Sequence, residues 1–175
     1  MKRYHPLLVA IHWVVGAMIV MALIAGNVLL EPLANSDPQK LDGLFAHMLV
    51  GLSIGVLLVI RLITRLASTH PPHADTGNAM ANLGAKLAHW ALYLLAFGMV
   101  ASGLGIALSH GLFDIVFAAS GAPLPEEFVH EGPRLAHAIL SKVLILFILL
   151  HVAGWAFHQF VLKDGLISRM WFGTR

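Results

Sequence analysis

Apolar residues run nearly unbroken through four stretches of the chain, roughly 7–30, 44–63, 87–109 and 135–162. A helix needs about 20 mostly apolar residues to cross hydrocarbon, so each stretch predicts a spanning helix. Polar and helix-breaking segments separate them: "EPLANSDPQKLDG", "STHPPHADTGNAMANLG" and "HGLFDIVFAASGAPLPEEFVHEGP". The pattern predicts an all-α membrane protein, an up-and-down bundle of four transmembrane helices forming one domain over residues 1–175. Within the third connection, "LFDIVFAAS" is too short to span and predicts an interfacial turn of helix. The opening "MKRYHPLLVAIHWVVGAMIVMALIAGNVLL" has the basic start of a secretory signal, but its apolar run far exceeds the roughly 7–15 residues of such a signal. It reads as a retained first span. No internal repeat or low-complexity tract is present.

Composition agrees. Hydrophobic residues make up 58% of the 175 and charged residues 11%, more apolar surface than a soluble domain of this length can hide. Charge sets an orientation. Lys2, Arg3, Arg61, Arg65, Lys86, Lys163, Arg169 and Arg175 fall on one side of such a bundle, and only Lys40 and Arg134 on the other. The second side also gathers Glu31, Asp37, Asp42, Asp114, Glu126, Glu127 and Glu131. By the positive-inside rule both termini are expected in the cytoplasm of a multi-pass membrane protein. The chain has no cysteine, which excludes thiolate-held iron–sulfur clusters and thioether-attached haem. Nothing in it points to nucleic acid as a partner.

The polar residues inside the spans are mostly histidines, which are costly at that depth. His12 and His89 begin spans at the cytoplasmic side, and His47 and His137 begin spans at the outer side. His151 follows His137 by fourteen residues, a rise of roughly 21 Å that returns it to the cytoplasmic half. Fourteen steps of about 100° leave the two side chains within roughly 40° of each other, on one helix face. Two imidazole layers result: His47 with His137 outside, and His12, His89 and His151 inside. Each can supply the paired nitrogens of a bis-histidine haem, which lacking thiols would be haem b. Gly16 and Gly51 follow His12 and His47 by four residues and leave room for a macrocycle, whereas Tyr93 occupies that offset from His89. That favours His12 over His89 only weakly. Interhelical hydrogen bonding or a histidine-lined metal pathway are the rival uses. The latter wants carboxylates, and the apolar stretches hold none.

The segments "AIHWVV", "FAHMLVGLSIGVLLVIRLITRL", "KLAHWALYLLAFGM" and "LAHAILSKVLILFILLHVAGWAFHQFVLKDGLISRM" resemble, in order and over nearly the whole chain, the bacterial cytochrome b561 family. The resemblance implies a four-helix membrane cytochrome enclosing two b haems, with His12 paired to His151 and His47 to His137. Stand-alone members of that family resemble superoxide:ubiquinone oxidoreductases. Longer relatives are cytochrome b subunits linking a dehydrogenase or hydrogenase to the quinone pool. The short chain resembles the former. It departs from the family pattern at Lys142, inside the fourth span, and at "FGMVASGLG", where a proline is expected.

On this reading an electron from superoxide, or from a redox protein, enters at the outer haem and leaves from the inner haem to ubiquinone. The outer loops are net acidic, so an anion needs a local basic approach, for which Arg134 and Lys142 are the candidates. Quinone reduction takes up protons, and His89, His158 and Lys163 are the candidates near the inner haem, with Asp164 at the exit of that helix. Trp13 and Trp90 neighbour the inner histidines and can pack a ring or sit in the interfacial belt. "HPPH", His70 to His73, reads as a stiff solvated turn.

Overall fold

A computed structural model describes residues 3–72, 74–126, 128 and 132–173. Lys2, His73, Glu127, Glu131 and Arg175, which entered the charge and motif arguments, lie outside the described residues. Four helices dominate: α1 (Pro6–Ile24), α2 (Pro38–Ala67), α3 (Ala79–Ser109) and α4 (Gly132–Ala156). Wide π-helical turns extend α1 over Ala25–Leu30 and α4 over Phe157–Leu162. All four are long and apolar enough to cross a membrane, and the chain is a multi-pass membrane protein. A π-turn at Phe113–Phe117 occupies the place of the expected interfacial helix.

Capping moves two boundaries outward from the apolar stretches. Asp37 accepts the Gln39 N–H at 2.8 Å with Pro38 leading α2, and Asn78 accepts the N–H groups of Met80 and Ala81 at the head of α3. These side chains satisfy amides that would otherwise be orphaned, so each helix starts in polar sequence before its hydrophobic run. Lys40, Asp42 and Lys86 are thereby helical, and α2 holds a carboxylate after all, at its exposed rim.

α3 packs most extensively on α4, and α1 on α2, with α2 against α3 joining the pairs. The "FGMVASGLG" stretch explains the first contact. A Cβ added at Gly98 would lie 3.1 Å from Leu140, and one at Gly105 3.0 Å from Pro133, while Ser102 between them is buried. Small residues on one face let the two backbones close, which in lipid supplies the packing that hydrophobicity cannot. Among the described residues no comparably close backbone approach joins α4 to α1 or α2. Mid-bundle, Ile11, Val15, Ile54, Leu58 and Ala96 form the buried core.

Hydrogen bonds tie each end. Arg3 donates to the carbonyls of Ser168, Trp171 and Phe172 at 2.9, 3.0 and 3.1 Å, Trp13 Nε1 to Met170 at 2.8 Å, and Arg169 to Pro72 at 2.7 Å. Residues near both termini and the α2–α3 connection therefore share one end of the bundle. At the other, Asn35 Nδ2 donates to the Pro125 carbonyl at 2.7 Å and ties the remaining two connections together.

Candidate functional site

The imidazoles fall at two levels. At the loop end, the ring centres of His47 on α2 and His137 on α4 stand 6.2 Å apart. At the terminal end, His12 on α1 and His151 on α4 stand 6.1 Å apart, with His89 on α3 at 5.2 Å from His151. Both longer pairs bridge α4 to the hairpin its backbone does not closely contact.

The spacing discriminates. An imidazole nitrogen binds a first-row metal at about 2 Å, and a ring centre lies roughly 1 Å behind its nitrogen. Two imidazoles facing each other across one metal thus need roughly 6 Å between centres. His47–His137 and His12–His151 meet that span, and His89–His151 is too close for it. His89 Nδ1 donates to the Ala85 carbonyl of its own helix at 2.6 Å, which leaves its Nε2 available, so the spacing alone sets it apart. Of the two rings beside His151, it is His12 whose spacing fits such a pair.

The surroundings of His137 suit a metal ligand. The His137 Nδ1–H is shared between the Met99 carbonyl at 3.1 Å and Ser102 Oγ at 3.0 Å, while the serine hydroxyl itself donates to Met99 at 3.1 Å. Fixing Nδ1 as the donor leaves Nε2 free to bind, the usual arrangement around metal-bound histidines. Two glycines permit close approach: a Cβ at Gly103 would meet His137 Cε1 at 3.3 Å, and one at Gly26 would meet His47 Cε1 at 3.4 Å. Gly16 and Gly51, by contrast, face open space, with no atom within 4 Å of an added Cβ. Around the loop-end pair lies a cavity of about 230 Å³ that reaches Gly51, Gly103, Arg134 and Lys142. Paired imidazoles, no thiol and a roomy apolar slot suit a haem. Among the described residues no cluster of three or more histidine, cysteine or acidic side chains is arranged to hold a bare metal ion.

The family model described as prokaryotic cytochrome b561 matches residues 3–173. The chain belongs to the prokaryotic cytochrome b561 family. Three curated relatives are each 27% identical to it. The match to "Probable superoxide oxidase CybB" of Yersinia pestis covers 97% of this chain and 96% of the relative. "Cytochrome b561 homolog 2" of Escherichia coli K12 matches over 97% and 91% of the two chains, and "Cytochrome b562" of Cereibacter sphaeroides over 95% and 94%. The protein is thus a membrane cytochrome b of the electron-transfer type, and the family implies haem b.

The remaining candidates of this cytochrome divide. Arg134 and Lys142 both line the loop-end cavity. The Lys142 ammonium crosses to α1 and donates to Asn27 Oδ1 at 2.5 Å, and Asn27 Nδ2 is held by the Leu23 carbonyl at 2.9 Å. His158 is buried, its Nδ1 donating to Asp164 Oδ2 at 2.6 Å. Burial pushes the Asp164 carboxyl up. That is outweighed by the bonds from His158 and the Leu166 N–H and by the nearby Arg169 charge, which hold it below the ordinary carboxylate value. Lys163 is exposed, its backbone left-handed at φ 53°, and it takes no part in the buried pair. Trp13 packs edge-on to His12 at 5.3 Å, and Trp90 lies under Arg65 at 5.9 Å, so the two serve different neighbours. His70 bonds the Arg65 carbonyl at 2.8 Å, a local turn contact.

Sequence reasoning missed Ser102, Gly103, Gly26, Asn27 and Lys40. Asn27 left a signal as a lone amide in the first apolar run. Lys40, buried and donating to the carbonyls of Leu30 and Leu33 at 2.5 and 2.9 Å, lay outside the predicted span.

Proposed function

We propose that this cytochrome binds two b haems, one between His47 and His137 and one between His12 and His151, and carries electrons from superoxide to ubiquinone. The overall balance is two superoxide anions, one ubiquinone and two protons giving two dioxygen molecules and one ubiquinol. The observation that carries the reading is the matched pair of bis-imidazole spans, 6.1 and 6.2 Å, at opposite ends of the bundle. The name of the Yersinia relative supports superoxide as the donor. The loop end faces outward and both termini lie in the cytoplasm of the inner membrane, as the charge bias requires.

The haems supply one-electron redox chemistry, and the chain supplies position, burial and protons. At the loop end Arg134, Lys142 and Lys40 outnumber Glu31 in the cavity lining, so a small anion is attracted locally although the surrounding loops are acidic. Lys142 is held at the mouth by Asn27 rather than left to reach the headgroups. At the terminal end, the His158–Asp164 pair offers a proton to a quinone lodged against α4. Among the described residues Trp155 Nε1 and Gln159 Oε1 on the same stretch are buried without partners, so the indole N–H is free to donate to a quinone carbonyl and the amide oxygen to accept from the quinol hydroxyl. His89 is a second proton carrier beside His151, and Lys163 stands at the water side of Asp164.

The alternative is a cytochrome b subunit that passes electrons between a dehydrogenase or hydrogenase and the quinone pool. The test is the purified protein in liposomes with ubiquinone under an enzymatic superoxide flux. Ubiquinol formation with faster superoxide loss is expected. A dithionite-reduced b-type spectrum with neither activity would leave the subunit reading. A colourless protein after haem-replete expression would remove both.

A further inference from the structure

Arg61 is a cation inside a membrane-crossing helix with no anion beside it. It sits two turns before the end of α2, at the level of His12, partly buried. One amino group donates to the Leu8 carbonyl at 3.2 Å, and the other stands 3.5 Å from His12 Nδ1, at the outer limit of a hydrogen bond. The guanidinium lies 5.6 Å from the centre of the Tyr93 ring. These contacts use at most two of its five N–H donors. Among the described residues no carboxylate pairs with it. α1, α3 and α4 carry none, and Asp42 of α2 lies nineteen residues away, about 28 Å along the axis.

Such a residue needs a partner. An arginine cannot shed its proton, and an uncompensated charge at this depth costs several kcal/mol. Arg65, one turn nearer the helix end, stacks on Trp90. Arg61 does not follow it, being held inward by the Leu8 carbonyl. A haem b brings two propionate carboxylates, and the planar fork of an arginine is matched to a carboxylate.

We infer that Arg61 is the counter-ion of a propionate on the haem held by His12 and His151. The inference rests on the haem reading above and adds to it a positioning residue that the ligand pattern does not reveal. Its spare donors face an anion brought by the cofactor, and its position at the His12 level limits which way round the porphyrin can enter.

The test titrates cofactor-free full-length protein in nanodiscs with haem b and with its dimethyl ester, in a His47→Ala background that leaves one pair intact. Should that variant prove unstable, the second binding phase of the two-site chain gives the same comparison. The wild-type Arg61 site is expected to bind the ester roughly ten- to hundredfold more weakly, the worth of one charge-assisted hydrogen bond. Arg61→Gln is expected to weaken haem b to the level of the ester and leave the ester unchanged, and Arg61→Lys to restore part of the preference. An Arg61→Gln protein that still prefers the free acid overturns the inference alone, since the guanidinium then faces a lipid phosphate or water. Failure to bind either porphyrin overturns the haem reading and this inference with it.

Discussion

Replacing Ser102 by alanine isolates what the hydrogen bonds behind His137 contribute. The imidazole N–H is shared between two acceptors, the serine at 3.0 Å and the Met99 carbonyl at 3.1 Å. Removing the serine takes one arm of a bifurcated bond and leaves the other, so the loss is in the lower part of the usual range, about 0.5–1 kcal/mol. A weaker bond to Nδ1 makes the imidazole a poorer donor to iron, which disfavours the oxidised state more than the reduced. If the whole loss appears in that difference, the midpoint of the haem at His47–His137 rises by at most ~40 mV for one electron. Haem content should fall little, because the Met99 carbonyl still fixes the tautomer. The assay is a potentiometric titration of the membrane-embedded protein, followed in its reduced b bands. The two waves are assigned by the one that disappears in His47→Ala. One wave shifting upward while the other stays is the expected result. Equal movement of both waves, or a shift confined to the His12–His151 haem, refutes the assignment of His137 as a ligand.

Two further predictions follow from the terminal end. His89→Ala should keep both haems whereas His12→Ala loses one, read from pyridine haemochrome per protein; loss of a haem in the His89 variant reverses the pairing. Asp164→Asn should cost about 1 kcal/mol at neutral pH by removing a charge-assisted bond to His158. Because the folded carboxyl is depressed below its ordinary 3.8, this contribution is present above that value and lost as the pH falls through the lower folded one. Thermal melts of the two proteins should therefore differ at pH 7 and converge in strong acid, and a gap that persists there would show that the carboxylate charge is not its source.

The spans and their end-to-end alternation were legible because hydropathy along an apolar run is a cumulative signal. Their starts at Pro38 and Ala79 were not, since a single capping Asp37 or Asn78 decides them against the local composition. The two histidine layers could be read from helical depth and angle, as with His137 and His151. What favours His12 over His89 in the proposal is about one ångström between ring centres, which periodicity cannot resolve. Gly103 and Ser102 were hidden for another reason. In one dimension "FGMVASGLG" is a gap where a proline was expected, and only the seating of α4 against it shows that the small side chains admit Leu140, Pro133 and the His137 ring. Arg61 was tallied as one more cytoplasmic charge, a reading blind to the direction in which its side chain turns.

The uneven packing of the four helices has a bearing on assembly. α4 seats against the glycines of α3, α1 leans on α2, and every matched histidine pair takes one ring from each half. A porphyrin seated at either level would be a rivet across a seam that α2 and α3 close at mid-bundle but α4 itself scarcely closes. Cofactor supply and mechanical integrity become one variable, and a chain starved of haem should part along that seam before any single helix melts.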